Sequence, residues 1–410
     1  MKRFLMITHA FPPFGGGGVQ RMTKFAKYLK QYEWTATVVS PGVNNDSWLD
    51  YERMGEIKEI DQVRIGYRNL QQNSIFIRVL RRLYPIDVYY PWSRTVFKYL
   101  KKRNLSEYKI IFTSGPPHSV HLVGLLVAKY AGLKWVADFR DHFTLGPEYR
   151  VKGLKKRVNR WFEKKIYENA DAIILNTNTN KSEVLSSFKP SKPGKIFTIN
   201  NGFDYVDLQK TGIEVGWEKG SVKNYLYLGG LRGDKIDGIF YSTISTAIQL
   251  SPSIKNEFKI HIVGDYSRKG KQIQSMGLSE IINFSDPVAY NNVADYLESA
   301  DGCLTWQPPH VKYKGTIAGK VFDYLGMRKP IFSLGQDDGE IAKILNENKV
   351  GISANPDDIQ KSGLAFIDFH EKIKSNYFDY SQAKPNFLDQ YNRLGQSKQL
   401  ADIFDDIIKA

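Results

Sequence analysis

The chain has 410 residues and a formal net charge of +15 at pH 7, with 42% hydrophobic and 25% charged residues. This length is enough for two or three domains of roughly 100–200 residues each, and the composition excludes long disordered stretches. No apolar run approaches the roughly 20 residues that a membrane-spanning helix needs. The positive charge favours phosphorylated substrates, anionic lipid or nucleic acid as ligands, and the charge alone does not choose among them.

Residues 1–7 combine a basic tip with an apolar run that stops at Thr8. A secretory signal needs a longer apolar core and a small-residue cleavage site, so we predict a buried first strand instead. The lone Cys303 cannot form a disulfide within the chain and fits a reducing compartment. We therefore expect a cytoplasmic protein.

Short apolar strands alternate with helices along the chain. In the first half, strands are predicted at 4–8, 35–40, 109–113, 135–137 and 172–175, and helices at 19–31 and 118–131. After a polar linker at 205–223, the second half has strands at 225–228, 259–263, 302–305, 330–333 and 351–353. Such alternation predicts parallel sheets covered by helices. Ligands in these sheets bind beyond the carboxyl ends of the strands.

A glycine-rich loop at 15–18 follows the first strand and precedes a helix. Glycine amides and a helix N-terminus can both bind an oxyanion closely. The loop lacks the Gly-Lys-Ser/Thr of a P-loop, and Gln20 stands where a dinucleotide fingerprint has its third glycine. A flexible turn and a phosphate- or sugar-facing loop both stay open. On the second interpretation, the residues that contact the ligand are Gly16, Gly17 and Gly18.

A cluster of titratable side chains follows the strand at 135–137, where residues 138–142 read DFRDH. Side chains at the carboxyl end of a strand are placed to meet a ligand. Arg140 and Asp141 can position the hydroxyls of a ligand or neutralise its phosphate. His118 and His121 begin the preceding helix one turn apart, and a buried structural role is as open for each as a functional one.

The segment 150–165 reads RVKGLKKRVNRWFEKK, with eight basic residues, one acid and apolar residues at helical spacing. A second basic cluster contains Arg78, Arg81 and Arg82. Basic amphipathic segments with aromatic anchors suit an anionic membrane surface; a core-facing helix with a solvated basic side is the alternative. The sequence has no zinc-ligand spacing and no known reader motif, so we do not expect nucleic-acid binding.

Six segments of the sequence follow one another in a recognisable order. They read INNGFD at 199–204, YLGGLR at 227–232, IVGD at 262–265, INFSDPV at 282–288, SAD at 299–301 and KVFDYLGMRKP at 320–330. In order and spacing these segments resemble the motifs of family 4 glycosyltransferases. The likeness runs from residue 1 to about residue 408.

The resemblance implies an α/β protein of GT-B fold with two facing Rossmann-like, doubly wound domains. An acceptor-binding domain would span 1–205 and a nucleotide-sugar domain 206–385, and a helix in 386–410 would pack back on the first domain. It also implies transfer that retains the anomeric configuration, with a nucleotide sugar as co-substrate and no metal or cofactor. The sequence agrees in lacking the Asp-x-Asp triplet that binds metal in the other large glycosyltransferase fold.

The resemblance assigns catalytic roles to three residues. The leaving diphosphate gains negative charge, so catalysis requires fixed positive charge beside it. Arg232 and Lys235 follow the first strand of the second domain, where the family carries its phosphate-binding arginine and lysine; a solvated loop position is the alternative for both. Lys235 precedes Ile236, whereas the family usually has glycine there. His121 completes the set, because family members often have a histidine near the transferred sugar.

Asp323 stands at the second acidic place of the family's Glu-x7-Glu motif, where a carboxylate binds the ribose hydroxyls. Gly315 replaces the first acid, which in the family touches the transferred sugar, so recognition of the donor sugar must differ. The amides of 314–319 precede a helix and can add donors. The donor-binding candidates are Gly230, Gly264, Asp265, Val288, Thr316, Ile317, Lys320 and Asp323. The acceptor-binding candidates outside the glycine loop are His118, Arg140, Asp141 and His142.

The sequence thus favours a retaining glycosyltransferase that moves a sugar from a nucleotide sugar to a glycan or lipid-linked acceptor. The resemblance places it in the synthesis of surface polysaccharide or glycolipid, and segment 150–165 favours attachment to the inner face of the cell membrane. Two alternatives stay open. One is an inactive GT-B scaffold that acts as an interaction protein, motivated by Gly315; the other is a nucleotide-binding oxidoreductase, which the failed glycine fingerprint disfavours.

Overall fold

The computed structural model of the chain describes residues 1–43, 49–66, 84–218, 220–267 and 272–409. The basic cluster of Arg78, Arg81 and Arg82 lies outside them. The chain divides into two compact units, of which unit 1 contains Met1–Asn201 with Arg393–Ala410 and unit 2 contains Gly202–Asn392. None of the described helices is long and apolar enough to cross a membrane.

Unit 1 is built on a parallel sheet. Its described strands are β1 (Lys2–Thr8), β2 (Trp34–Pro41), β3 (Asp61–Ile65), β4 (Tyr108–Gly115), β5 (Lys134–Phe139), β6 (Ala172–Leu175) and β7 (Ile196–Thr198), in the order β3-β2-β1-β4-β5-β6-β7. Its helices are α1 (Gly17–Tyr28), α2 (Tyr90–Leu100), α3 (Val120–Ala131), α4 (Gly153–Asn169) and α5 (Asn178–Phe188). The strand order reverses between β1 and β4, and ligands bind at such a point of reversal.

The strands of unit 1 form because apolar residues cover both of their faces. In β1, Leu5 and Ile7 pack into one core cluster, whereas Phe4 and Met6 pack into another. Successive side chains of a strand point to opposite faces, so an uninterrupted apolar run is the pattern of a sheet covered by helices on both sides.

Unit 2 repeats this architecture. Its described strands are β8 (Lys223–Leu228), β9 (Phe258–Val263), β10 (Ile282–Ser285), β11 (Gly302–Trp306), β12 (Ile331–Leu334) and β13 (Gly351–Ala354), in the order β10-β9-β8-β11-β12-β13 and all parallel. Its helices are α6 (Asp234–Leu250), α7 (Gln272–Ser275), α8 (Val293–Ser299), α9 (Gly319–Gly326), α10 (Glu340–Asn348) and α11 (Ile359–Lys374). The prediction of two Rossmann-like parallel α/β sheets is confirmed.

The last helix, α12 (Arg393–Lys409), belongs to unit 1. Phe404 packs edge-on against Phe4, with ring centroids 5.2 Å apart. Asp405 forms an ion pair of 2.5 Å with Lys2 and accepts a hydrogen bond of 3.0 Å from Trp34 Nε1. The helix therefore covers β1 and β2 on one face of the sheet.

Candidate functional site

The glycine loop of unit 1 begins helix α1 beside an arginine. Gly16 has a φ of 107°, in the left-handed region that glycine adopts without strain, and α1 begins at Gly17. A Cβ on Gly18 would lie 1.6 Å from Nη1 of Arg140. The loop is thus open enough for a guanidinium to reach the N-terminus of α1.

A buried ion pair fixes the base of this region. Arg21 Nη2 lies 2.7 Å from Asp138 Oδ1, and both side chains are at most 1% exposed. Asp138 also accepts a hydrogen bond of 2.6 Å from Ser114 Oγ. Arg21 donates to the carbonyls of Ile199 at 3.0 Å and Asn200 at 2.5 Å. Because the pair is satisfied within the protein, we assign it a structural role that joins α1 to β4, β5 and the segment after β7.

Arg140 is a second buried arginine in this region, at 8% exposure. Its Nη2 donates to the carbonyl of Pro116, whereas its buried Nε has no hydrogen-bond partner among the described residues. Burial lowers the pKa of Arg140 from its ordinary value, but a guanidinium stays protonated. The neighbouring Asp141 is exposed, and His142 Nε2 lies 2.8 Å from Glu183 Oε2.

His121 lies fully buried in the first turn of α3, and its ring stacks on Phe139 at 4.4 Å. Its Nδ1 lies 2.9 Å from Thr113 Oγ1, to which Trp135 Nε1 also donates at 2.9 Å. The Thr113 hydroxyl therefore links the imidazole to the indole. Burial, then the charge of Arg140, lowers the pKa of His121 to about 3. The ring is therefore uncharged near neutral pH.

Two further imidazoles lie near Arg140. His118 is buried and stacks on Phe143 at 4.5 Å, and its Nδ1 has no partner among the described residues. His9 follows β1, with its ring 4.2 Å from that of Tyr89. Burial is the largest cause that lowers the pKa of His118 well below its ordinary value and the pKa of His9 to about 4. His9 was not among the predicted site residues, although its place directly after β1 was a usable signal.

In unit 2, β8 and β9 end beside each other in two glycine loops. Gly264 has a φ of 152°, and a Cβ on it would lie 2.5 Å from the carbonyl of Gly229, so only glycine fits. Gly230 lies next to Asp265, whose carbonyl accepts a hydrogen bond of 2.8 Å from the amide of Leu231. The side chain of Asp265 is exposed. The predicted donor-binding glycines thus let the two strand ends meet.

Asp237, near the start of α6, anchors the loop that carries Arg232. Its Oδ2 accepts hydrogen bonds from the amides of Arg232 at 2.8 Å and Gly233 at 2.6 Å, and its Oδ1 accepts one of 2.8 Å from Trp306 Nε1. The side chains of Arg232 and Lys235 are exposed and form no ion pair with a described side chain. The loop therefore offers positive side chains to a ligand, while these two amides serve the fold.

Lys320 lies half-buried in the first turn of α9. Its Nζ is 3.3 Å from the centroid of the Tyr227 ring, and that ring stacks on Trp306 at 3.7 Å. A Cβ on Gly229 would lie 3.4 Å from the same Nζ, which places the ammonium beside the loop after β8. Burial, then the charge of Arg232, lowers the pKa of Lys320 well below its ordinary value. Tyr227 is a second residue that was not among the predicted site residues.

Asp323 follows Lys320 by one turn of α9, so the two residues share a face of the helix. It is 8% exposed, and its Oδ1 accepts a hydrogen bond of 2.8 Å from the hydroxyl of Tyr290. Tyr290 thus helps to orient the Asp323 carboxylate. Tyr290 lies in the short turn Tyr290–Asn292, outside any motif that the sequence offered.

The remaining predicted donor residues surround the start of α9. Thr316 accepts a hydrogen bond of 2.6 Å at its carbonyl from Gln307 Nε2. Ile317 is buried in a core cluster, and Val288 packs half-buried against it. α9 begins at Gly319 with no side-chain cap, and the first turn of a helix leaves amides without an intrahelical acceptor. Positive side chains, a carboxylate and a helix N-terminus thus suit a ligand with both phosphates and hydroxyls.

Solved structures share the fold along the whole chain. A glycosyltransferase from Rickettsia africae ESF-5 is 16% identical, covers 100% of this chain and 99% of its own, and has a TM-score of 0.66. A sucrose-phosphate synthase from Thermosynechococcus elongatus is 14% identical, with 100% of both chains covered and a TM-score of 0.66. HepE of Anabaena, solved in complex with UDP-glucose, is 16% identical, covers 99% of this chain and 100% of its own, and has a TM-score of 0.65.

At sequence level, no curated protein matches the chain. Residues 15–206 match the sequence profile of Glycosyltransferase Family 4. This range begins in the glycine loop and ends just after β7, so it contains Arg140 and the candidate histidines from His118 to His142. The profile match thus covers most of unit 1, and the fold along the whole chain is that of GT-B glycosyltransferase structures.

Proposed function

We propose that this protein transfers a sugar from a nucleoside diphosphate sugar to a glycan or lipid-linked acceptor, with retention of anomeric configuration and without a metal ion. One observation carries the donor part of the proposal. Lys320 and Arg232 are two cations without an ion-pair partner among the described residues, and the buried Asp323 lies one turn from Lys320. The complex of the fold relative HepE with UDP-glucose supports this ligand class.

Each donor-site residue has a distinct part in this proposal. As the bond between the sugar and the diphosphate breaks, negative charge grows on the phosphate oxygens, and the Lys320 ammonium and the Arg232 guanidinium stabilise it. Asp323, oriented by Tyr290, accepts hydrogen bonds from the ribose hydroxyls. In the family the acceptor attacks the face that the leaving group departs from, so the leaving phosphate takes the acceptor's proton and no side-chain base is required.

Gly315 is a departure from the family's motif that bears on catalytic activity. It stands where the family has an acid that touches the transferred sugar. An inactive scaffold with an intact nucleotide site is therefore the competing interpretation. The two differ in turnover, because a scaffold binds a nucleotide sugar without releasing nucleoside diphosphate.

We also propose that helix α4 attaches the protein to an anionic membrane surface at the inner face of the cell membrane. Leu154, Val158 and Trp161 form a stripe at i, i+4 and i+7, and they are 75%, 38% and 62% exposed. The eight basic residues of 150–165 accompany the stripe. The single acid, Glu163, is buried and accepts a hydrogen bond from the amide of Thr144 at 3.1 Å. A basic helix that exposes a tryptophan has the chemistry of an interfacial anchor.

A turnover assay over a panel of UDP, GDP, ADP and dTDP sugars tests the function. We expect release of nucleoside diphosphate from at least one donor, unchanged in the presence of EDTA, with product in the donor's anomeric configuration when an acceptor is supplied. The Asp323→Ala variant should release nucleoside diphosphate more slowly than wild type. If the protein binds nucleotide sugars but releases no nucleoside diphosphate with any combination of donor and acceptor, the result would favour the inactive scaffold.

A further inference from the structure

We propose that a cavity at the amino ends of the strands of unit 2 binds a small phosphorylated molecule. The cavity has a volume of about 620 Å³, which lies within the range of roughly 300–1,000 Å³ that is usual for small-molecule sites. Its walls are the residues that lead into β8, β11 and β12, together with the last turn of α11. The proposal goes beyond the proposed function and does not depend on it.

The cavity lies at the opposite edge of the sheet from the candidate donor site. Lys223 lines the cavity and begins β8, whereas the loop that carries Arg232 follows Leu228 at the end of the same strand. A strand rises about 3.3 Å per residue, so the length of β8 separates the two sites by roughly 20 Å. A small ligand in the cavity would therefore leave the donor site free.

The acidic side chains of the cavity are already used within the protein. Asp301 accepts a hydrogen bond of 2.8 Å from the amide of Asn224, and its Oδ1 lies 3.5 Å from Lys223 Nζ. Glu298 Oε1 lies 3.6 Å from Lys210 Nζ. These carboxylates thus compensate other cations and leave the rest of the positive lining without a partner.

Two consecutive basic residues of the lining have no acidic partner. Arg328 is exposed, and its guanidinium forms no hydrogen bond or ion pair with a described residue. Lys329 Nζ donates to the carbonyl of Glu298 at 3.1 Å and forms no ion pair in the described part of the chain. Two uncompensated cations in one cavity favour an anion, and a guanidinium can bind a phosphate through two parallel hydrogen bonds.

The ligand class follows from charge and from the rest of the lining. A phosphate monoester carries about −1.5 to −2 charges at pH 7, which matches two uncompensated cations, whereas a neutral sugar would leave both without a partner. Ile373 and Phe378 also line the cavity and offer apolar surface to a carbon skeleton. We therefore assign the cavity to a phosphate monoester of a small organic molecule, of which a sugar phosphate is an example.

The backbone of Arg328 makes a clean test possible. Its φ is 54°, in the left-handed region, and its amide donates to the carbonyl of Leu325 at 2.9 Å, just after the end of α9. Glycine adopts this conformation without steric cost and is the residue that helix ends favour there. Arg328→Gly thus removes the guanidinium and should leave the fold intact.

The test is a calorimetric titration of the full chain with inorganic phosphate and with glucose 6-phosphate. Wild type is compared with Arg328→Gly and Lys329→Met, and circular dichroism checks that each variant folds. The matched control is Lys349→Gly, because Lys349 is an exposed cation with the same φ of 54° at the end of α10 and does not line the cavity. Lys320→Met, in the candidate donor site, is the second control.

We expect at least one of the two probes to bind wild type, with an affinity that falls about tenfold or more in Arg328→Gly and in Lys329→Met. Lys349→Gly and Lys320→Met should bind that probe as wild type does. Because Lys320→Met is expected to weaken nucleoside diphosphates alone, failure of the donor assignment would leave this result unchanged.

Three results would overturn the proposal. Wild type binds neither probe, or a folded Arg328→Gly or Lys329→Met variant binds the probe as tightly as wild type. In the third, Lys349→Gly or Lys320→Met weakens binding as much as Arg328→Gly does, which would assign the effect to the general positive charge of unit 2 or to the donor site.

Discussion

The ammonium nitrogen of Lys320 lies 3.3 Å from the centre of the Tyr227 ring, and it has no ion-pair partner in the described part of the chain. A cation over an aromatic face gains about 0.5–2 kcal/mol, which is less than the cost of removing an unpaired ammonium from water. The lowered pKa of Lys320 has the same origin. The protein thus holds a positive charge that an anionic ligand can stabilise, at the point where β8 and α9 meet.

Replacement of this lysine should separate binding from stability. Lys320→Met keeps the length of the side chain and removes its charge, so we expect affinity for the best nucleoside diphosphate to fall about 10- to 100-fold. The free energy of unfolding should stay the same or rise, because an unpaired half-buried cation is removed. Calorimetry and urea unfolding measure the two quantities.

The matched control for this variant is Lys312→Met, at an exposed position in the turn before α9. This control should change neither the affinity for the nucleoside diphosphate nor the free energy of unfolding. A Lys320→Met protein that folds and binds the nucleotide like wild type would exclude Lys320 from the donor site.

Nucleotide affinity should depend on pH through Lys320. Its pKa in the free protein is lowered well below the ordinary lysine value, chiefly by burial. An anionic ligand favours the charged form, so bound ligand raises this pKa and affinity decreases as pH rises through the value of the free protein. We expect that decrease to begin below the pH at which an ordinary lysine titrates, near 10.4.

Lys320→Arg is the control for the pH dependence, because a guanidinium stays protonated. Its affinity should be independent of pH between about 7 and 10. The same decrease in wild type and in Lys320→Arg would assign the titration to another group.

Asp237 should contribute to both stability and donor binding. Its carboxylate accepts hydrogen bonds from two loop amides and from Trp306. Asp237→Asn places an amide NH₂ against donors, so we expect the free energy of unfolding to drop by about 1–3 kcal/mol. Nucleotide affinity should fall as well, because the loop that carries Arg232 loses its anchor.

Asp358→Asn provides the comparison for Asp237. Asp358 is a half-buried residue that caps α11, where it accepts a hydrogen bond of 3.0 Å from the amide of Lys361 and forms an ion pair of 3.1 Å with the same lysine. In Asp358→Asn the free energy of unfolding should fall by about 1 kcal/mol or less, and nucleotide affinity should not change. An Asp237→Asn protein as stable as wild type would mean that the loop does not depend on this carboxylate.

Membrane attachment should depend on the exposed stripe of α4. Leu154→Ser and Trp161→Ser should each weaken sedimentation with vesicles that contain phosphatidylglycerol, and added salt should weaken it for wild type. Both positions are exposed, so stability should change by about 0.5 kcal/mol at most. Vesicles of phosphatidylcholine alone should bind weakly.

Leu364→Ser is the matched control, because Leu364 is 56% exposed on α11 in unit 2. It should bind anionic vesicles as wild type does. Equal binding by Leu154→Ser, Trp161→Ser and Leu364→Ser would refute the membrane role of α4.

The apolar strands were predictable because burial on both faces leaves a clear signal. The predicted strand at 172–175 is β6, and the predicted starts of β8, β9 and β12 lie within two residues of the observed ones. The strand β3 was not predicted, because Asp61–Ile65 lies at the edge of the sheet and its exposed residues are polar. The strand β7 is too short, at Ile196–Thr198, to show any alternation.

Only those site residues that belong to a recognisable sequence motif were predictable. Lys320 and Asp323 belong to one helical segment whose spacing is visible in sequence. Tyr227 and Tyr290 are 93 and 33 residues away from these partners along the chain, and only the folded sheet brings them together. The ion pair of Asp138 with Arg21 is likewise invisible in sequence, because only the fold brings these two residues together.

The central claim is that the cations of unit 2 bind a pyrophosphate. The most direct measurement compares the affinity of the best nucleoside diphosphate with that of its nucleoside, in wild type and in the double variant Arg232→Ala with Lys320→Met. We predict that the diphosphate strengthens binding at least tenfold in wild type and hardly at all in the double variant. Equal affinity of wild type for both ligands, or an undiminished advantage of the diphosphate in the double variant, would contradict the account.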